Sequence, residues 1–389
     1  MSTDSTAAST AASTAASTAL LDLPGAVAAG GIDAGVIAHY GNPLSEQRQL
    51  ASGAALSQLA RGVVTISGPD RLSWLDSLTS QSIARLAPGE SAESLLLDPQ
   101  GHVEHDIRVV DDGETAWLIL ERPQTAALAA FLNRMRFMLR VEITDVSDAY
   151  AAIGSLDADL AARILEPFAV ATWVDPWQTG STGGVSYARS AETHPGAAWT
   201  WSETIIPAEA VATVADAARS GSIRLAGSLA VEALRIAAWR PRLGVDTDER
   251  TIPHELDWLR SAVHLTKGCY RGQETVAKVH NLGRPPRRIV LLDLDGSEGV
   301  AVPAGSPVFA LRDGEPREAG LITSTGIHYE LGPIALAVIR RAVDPTAVLT
   351  VVADGVSIAA RQEIIVPSDA GPAVTDLPRL PRLGAAPRR

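Results

Sequence analysis

A chain of 389 residues, 46% apolar and 20% charged, is long enough to bury two or three cores. Its net charge of −12 excludes wholesale coating of nucleic acid, and it has no uncharged apolar run of about 18 residues to cross a membrane. A single cysteine rules out an intramolecular disulfide and a four-cysteine metal site, and it fits a reducing, cytoplasmic location with no membrane partner.

Residues 1–20, with Ala-Ala-Ser-Thr repeated three times, read as a disordered low-complexity arm. A secretory signal lacks its basic n-region and an Arg-rich transit peptide its arginines, because no Lys or Arg precedes Arg48. Val63–Ile66 is a β-branched strand, followed by Ser67-Gly68-Pro69-Asp70 and by Leu72, Trp74, Leu75 and Leu78 at helical spacing. Leu95–Leu97, His102–Val110 and Thr115–Leu120 form an antiparallel meander, its first turn being Asp98-Pro99-Gln100-Gly101. Pro123 opens a helix whose Leu128, Phe131, Leu132, Met135 and Leu139 share one face, and the strand Val141–Ile143 follows.

Further helices are expected near 157–165, 207–219 and 227–238, with a strand at Thr204–Ile206. After Pro253, the residues Leu256, Leu259, Val263 and His264 predict a short amphipathic helix. Beyond Pro285-Pro286, six short strands punctuated by Asp-Gly and Gly-Pro turns predict a small β-barrel or sandwich over 284–366, with a disordered tail over 367–389. The irregular order of strands and helices indicates an α+β fold rather than a doubly wound sheet.

The lone cysteine lies in Lys267-Gly268-Cys269-Tyr270-Arg271-Gly272-Gln273-Glu274. From Lys267 to Arg288 there are six basic residues against one acid, Glu274, and nearby cations favour the thiolate that acts as nucleophile or metal ligand. Gly268 and Gly272 are expected where side chains would clash. Arg284, Arg287 and Arg288 read as a solvated face or a docking edge. A small buried hydrophobe is the plainer reading of a lone cysteine.

This octapeptide resembles the signature K-G-C-[FY]-x-G-Q-E of the YgfZ family, folate-binding relatives of the glycine-cleavage T-protein implicated in iron–sulfur cluster assembly or repair. Arg242-Leu243-Gly244-Val245-Asp246 and Ile252-Pro253-His254-Glu255 resemble its R-x-G-x-D and P-x-E elements, and Trp201–Pro207 resembles its G-[WY]-E-x-x-x-P strand. Gly62–Leu78 and Gly332–Arg341 resemble its first strand and helix and a late barrel strand, so the resemblance covers roughly 40–365.

The resemblance implies a T-protein architecture: two interleaved α+β subdomains over 40–283 enclosing a folate cleft, and a C-terminal β-barrel. It also implies tetrahydrofolate or another folate as cofactor, iron–sulfur proteins or assembly factors as partners, and transient contact with an iron–sulfur cluster. Cys269 is then the candidate reactive group, with Lys267 and Arg271 supplying its field. Glu203 is the candidate pterin acceptor, since a carboxylate can take the pterin amino group and ring N–H together. A solvated glutamate at a strand start is the alternative. Trp199 and Trp201 offer stacking faces, and Gln273 and Glu274 pin the loop or reach the cleft.

The T-protein's acidic pair falls on His105-Asp106. Strand alternation groups His105 with Val103, Ile107 and Val109, which puts histidine where a carboxylate would face the cleft, unless His105 is a satisfied core residue. That substitution counts against the alternative function, folate-dependent aminomethyl transfer. His102 and His105 fall on opposite faces, so no metal site is expected. A third reading, a tRNA-modification-linked binding module, rests on the basic stretch.

Overall fold

A computed structural model describes residues 18–188 and 194–372. Most of the expected arm and tail lies outside these residues. Within them, residues 18–21 are helical with Leu20 buried, and Ala370 is buried as well.

The chain opens with the short pair β1 (Val27–Ala28) and β2 (Ile37–His39), then α1 (Pro43–Ala51), whose first turn is capped by the Asn42 side chain accepting from Ser45 N. β3 (Ala55–Leu59) precedes a continuous block: β4 (Arg61–Ser67), α2 (Arg71–Leu78), β5 (Ser91–Leu97), β6 (Val103–Asp111), β7 (Thr115–Glu121), α3 (Thr125–Met135) and β8 (Glu142–Asp145). The strands of this block form one sheet in the order β5-β6-β7-β4-β8. The chain then returns through β9 (Tyr150–Ser155), α4 (Ala158–Leu165), β10 (Ala171–Val174), β11 (Ser202–Pro207), α5 (Val211–Arg219), β12 (Arg224–Leu225) and α6 (Ser228–Ala237). These strands recruit β3 into a second sheet, β10-β11-β9-β3-β12. The two units are therefore interleaved, since β3 leaves one sheet and the chain rejoins it only at β9.

Strand alternation sets the layers. In the first sheet Val64, Ile66, Ile107, Val109 and Leu118 face Leu75 of α2 and Leu128 and Leu132 of α3. Fully buried leucines such as Leu75 and Leu118 contribute roughly 2 kcal/mol each. The alternate residues, Val63, Leu95, Val110 and Ile119, face Trp173, Trp201 and Ile205 of the second sheet. That sheet's outer face, with Leu56, Ile153 and Ile206, packs on Leu165 of α4 and Val211 of α5. The seam between the sheets is where a polar site must be built.

After α7 (Gln273–Leu282) come β13 (Arg287–Leu294), β14 (Pro307–Arg312), β15 (Glu315–His328), β16 (Gly332–Arg340), β17 (Val348–Ala353) and β18 (Val356–Ile364), closed into a barrel in the order β13-β16-β15-β14-β17-β18. Asp313-Gly314 and Asp354-Gly355 both take positive φ, as two-residue hairpin turns require.

Three local expectations are corrected. The helix opened near Pro123 ends at Met135, so Leu139 is not on its face, and Phe137 and Met138 are 80% and 97% exposed. The segment 256–264 is not an α-helix: a 3-10 turn, Pro253–Leu256, stops at left-handed Asp257, and the apolar spacing reflects a buried irregular loop carrying Leu256, Leu259 and Val263. Arg288 is not on a solvated face; it is fully buried and donates to Gln362 Oε1 and Val343 O. No helix among the described residues is long and apolar enough to cross a membrane.

Candidate functional site

The seam carries a buried network of arginines and carboxylates. β11 and the residue before it point Trp201, Glu203 and Ile205 inward, and β4 begins with Arg61 opposite them. Arg61 Nη2 donates to Glu203 Oε1 at 2.8 Å and Arg61 Nε to Glu203 Oε2 at 3.0 Å, a side-on fork, while its Nη1 donates to Glu121. Trp201 Nε1 adds a bond to Glu203 Oε1 at 3.1 Å. Trp201 reaches this position because residue 154 on the paired strand is glycine: a Cβ there would lie 2.2 Å from the indole ring.

Arg242 donates to Glu121 Oε2 at 2.8 Å and to Asp33 Oδ1 at 2.7 Å. Its neighbour Asp246 accepts from Arg235 Nη1 at 2.7 Å and from Ser324 of β15, so the network is tied to the barrel. Deeper in, Arg240 joins Glu93 at 2.7 Å and Asp175 at 2.9 Å, and Trp199 Nε1 also donates to Asp175. The network borders a small cavity of about 40 Å³ lined by Arg61, Arg108, Glu203, Arg240 and Arg242. That is room for a few waters.

Charge states follow from these contacts. Burial alone would raise Glu203; Arg61 and Arg108 outweigh it and hold the carboxyl below its usual range. Glu121 is likewise buried, and Arg242 and Arg61 push it lower still. Glu93 moves the other way, raised by burial against the pull of Arg240.

The expected pair His105-Asp106 is placed in reverse. His105 turns to the helix-packed face with Ile107, where Nδ1 lies 3.3 Å from Gln124 Oε1 and burial lowers its pKa. Asp106 shares the inner face with Arg108; its Oδ1 is buried with no hydrogen-bond partner among the described residues, and Arg108 Nη2 is 3.7 Å from Oδ2. The inward position therefore keeps a carboxylate. Trp199 and Trp201 stack on each other, centroids 5.0 Å apart, and both are buried, although both also line the small cavity.

The octapeptide is separate from this network. Cys269 is exposed. Lys267 Nζ is spent on the carbonyls of Asp76, Thr79 and Gln81, at 2.6, 2.8 and 2.7 Å, at the C-terminal end of α2. Arg271 pairs with Glu104 and lies over the Phe131 ring. Gln273 Nε2 donates to Lys267 O at 3.4 Å, and Glu274 is exposed in the first turn of α7. Gly272, at φ +81°, is needed, since a Cβ would meet Asp98 O at 2.6 Å; at Gly268 a Cβ would meet nothing, contrary to expectation. None of the octapeptide's hydrogen bonds among the described residues reaches Glu203. Thus Glu203 and Trp201 are brought together, whereas Gln273, Glu274 and His105 lie elsewhere.

Arg61, Arg108, Glu121, Glu93 and Arg240 escaped the sequence reading. For two of them the signal was a charge set in or beside an apolar strand: Glu93 before Leu95–Leu97, and Glu121 closing Ala116–Leu120; Arg61, Arg108 and Arg240 carried no such signal.

The architecture is that of a T-protein. The structure of glycine cleavage system aminomethyltransferase T from Bartonella henselae superposes with a TM-score of 0.68 over 88% of this chain and 94% of that one, at 18% identity. No family model matches the chain. Among curated proteins, an iron–sulfur cluster assembly factor IBA57 homolog, mitochondrial, from Mycosarcoma maydis is 26% identical over 60% of this chain, a match spanning 55% of that protein's length. An aminomethyltransferase from Moorella thermoacetica is 27% identical over 77% of this chain and 82% of its own. These likenesses bear out the resemblance read in the sequence: the chain has the T-protein fold and is similar both to an iron–sulfur cluster assembly factor and to aminomethyltransferases.

Proposed function

We propose that this chain is a folate-binding accessory factor for iron–sulfur cluster assembly or repair. The observation that carries the folate part is Glu203, a fully buried carboxylate held ionised at the seam of a T-protein fold. Such a group accepts a donor edge of the kind a pterin offers. The relative named as an assembly factor supports the iron–sulfur part, with the exposed thiol of Cys269 on its pinned loop as the group that meets a client. One thiol cannot hold a cluster alone, so any cluster contact is shared with a partner.

Aminomethyl transfer is the second reading. The relatives named aminomethyltransferase support it, and so does Asp106, whose inward carboxylate has a free oxygen. The tRNA-linked reading keeps little of its basic surface: Arg287 is bound to Asp248 and Glu255, Arg288 is buried, and Lys267 and Arg271 are engaged, which leaves Lys278 and Arg284 as the exposed cations of the stretch.

Two assays separate the readings. Cells lacking this chain should lose iron–sulfur enzyme activity, while the pure protein should transfer no aminomethyl carbon to tetrahydrofolate. Normal iron–sulfur enzymes together with rapid one-carbon transfer would reverse the assignment.

A further inference from the structure

Arg61 holds Glu203 in the way a pterin would. A pterin ring contains a guanidine unit, so its 2-amino group and N3–H are two parallel donors on one carbon. Arg61 offers the same two parallel donors on its guanidinium carbon, and its Nε and Nη2 occupy both oxygens of Glu203 at 3.0 and 2.8 Å. Glu203 is 1% exposed and also accepts from Trp201, so it has no open lone-pair direction for a second fork.

We infer that Arg61 is an internal stand-in for the pterin edge, and that ligand enters only when this guanidinium swings off Glu203 while keeping Glu121. The inference rests on the folate reading above and adds the gate and its selectivity.

Three further observations support the swing. Arg61 Nη1 is already on Glu121, so the departing guanidinium retains an anionic partner. Glu203 does not lose its counter-ion, because Arg108 Nε stands 3.5 Å from Oε1, and Arg108 Nε and Nη1 are buried with no hydrogen-bond partner among the described residues. Arg61 also lines a second cavity of about 90 Å³, and the two cavities share Val36, Gln58, Leu59, Ala60 and Arg61 as walls. The gate selects chemically: only a ligand bearing a guanidine-type donor fork replaces what Glu203 gives up, and a carboxylate or phosphate ligand does not.

The test is calorimetry with tetrahydrofolate on the wild-type chain, Arg61→Met and Arg61→Lys. Removing the competitor raises the competent fraction, so Arg61→Met should bind about tenfold tighter or more. Arg61→Lys keeps a cation for Glu121 without a fork; it should shift the same way by less, and it serves where the Met variant does not fold. Stopped-flow mixing gives a second readout: the wild-type association rate should level off at the opening rate as ligand increases, while the Met variant's stays linear. Measurable wild-type binding that is unchanged or weakened in a folded Arg61 variant, with no plateau, overturns the gate and leaves the folate reading standing. Absence of binding in all three chains overturns the folate reading itself.

Discussion

Arg61 and Glu203, 142 residues apart in sequence, close on each other across the seam between the two interleaved sheets. One residue starts β4 of the first sheet and the other sits in β11 of the second. Their contact is therefore both a structural cross-link and the core of the candidate ligand site.

Glu203 lies below the ordinary carboxylate range in the folded chain and near about 4.3 when unfolded. Its contribution to stability is then fully present above that unfolded value and is lost as pH falls through the lower folded one. Glu203→Gln should melt lower than wild type at pH 7, by roughly 2 kcal/mol for the lost charge-assisted bonds. The gap should shrink below about pH 4. Thermal melts across pH check this, and a gap that widens in acid would contradict it.

Gly154→Ala places a methyl where the Trp201 ring now lies, 2.2 Å away. Overpacking of this kind costs about 1–3 kcal/mol. The displaced indole takes with it a hydrogen bond to Glu203. Both melting temperature and folate affinity should fall. A loss of stability with unchanged affinity would uncouple Trp201 from the site.

Lys267 is a scaffold in this structure, its ammonium caged by three carbonyls. Lys267→Met should lower stability by about 2 kcal/mol by leaving buried acceptors unpaired. Alkylation of Cys269 should quicken as the loop loosens. Slower alkylation at unchanged stability would instead mean that Lys267 acts as an activating charge.

Cys269→Ala should fold and bind folate as wild type does, because the side chain is exposed and apart from the seam. Iron–sulfur enzyme activity in cells carrying only this variant should fall to the level of cells without the chain. Full support by the variant would remove the thiol from the function.

The sequence carried some of this plainly. The barrel strands could be read because Asp313-Gly314 and Asp354-Gly355 punctuate alternating runs, a local signal. Glu203 came from resemblance, on the strand Trp201–Pro207. The interleaving could not be read, because whether β3 pairs with β4 or with β9 is settled by contacts about a hundred residues apart rather than by local propensity. His105 and Asp106 were assigned to the wrong faces for a related reason. Alternation gives two faces but not which one meets the second sheet. The basic stretch misled because linear charge density ignores pairing: Glu255 and Asp248, which neutralise Arg287, lie far upstream.

Equilibrium binding of tetrahydrofolate to the wild-type chain and to Glu203→Gln at neutral pH bears most directly on the role of Glu203. Wild type should show saturable one-site binding and the variant a loss of about 2–3 kcal/mol, the scale for unpairing a charge-assisted buried contact. Equal affinity in two folded proteins, or no binding by either, would contradict that role.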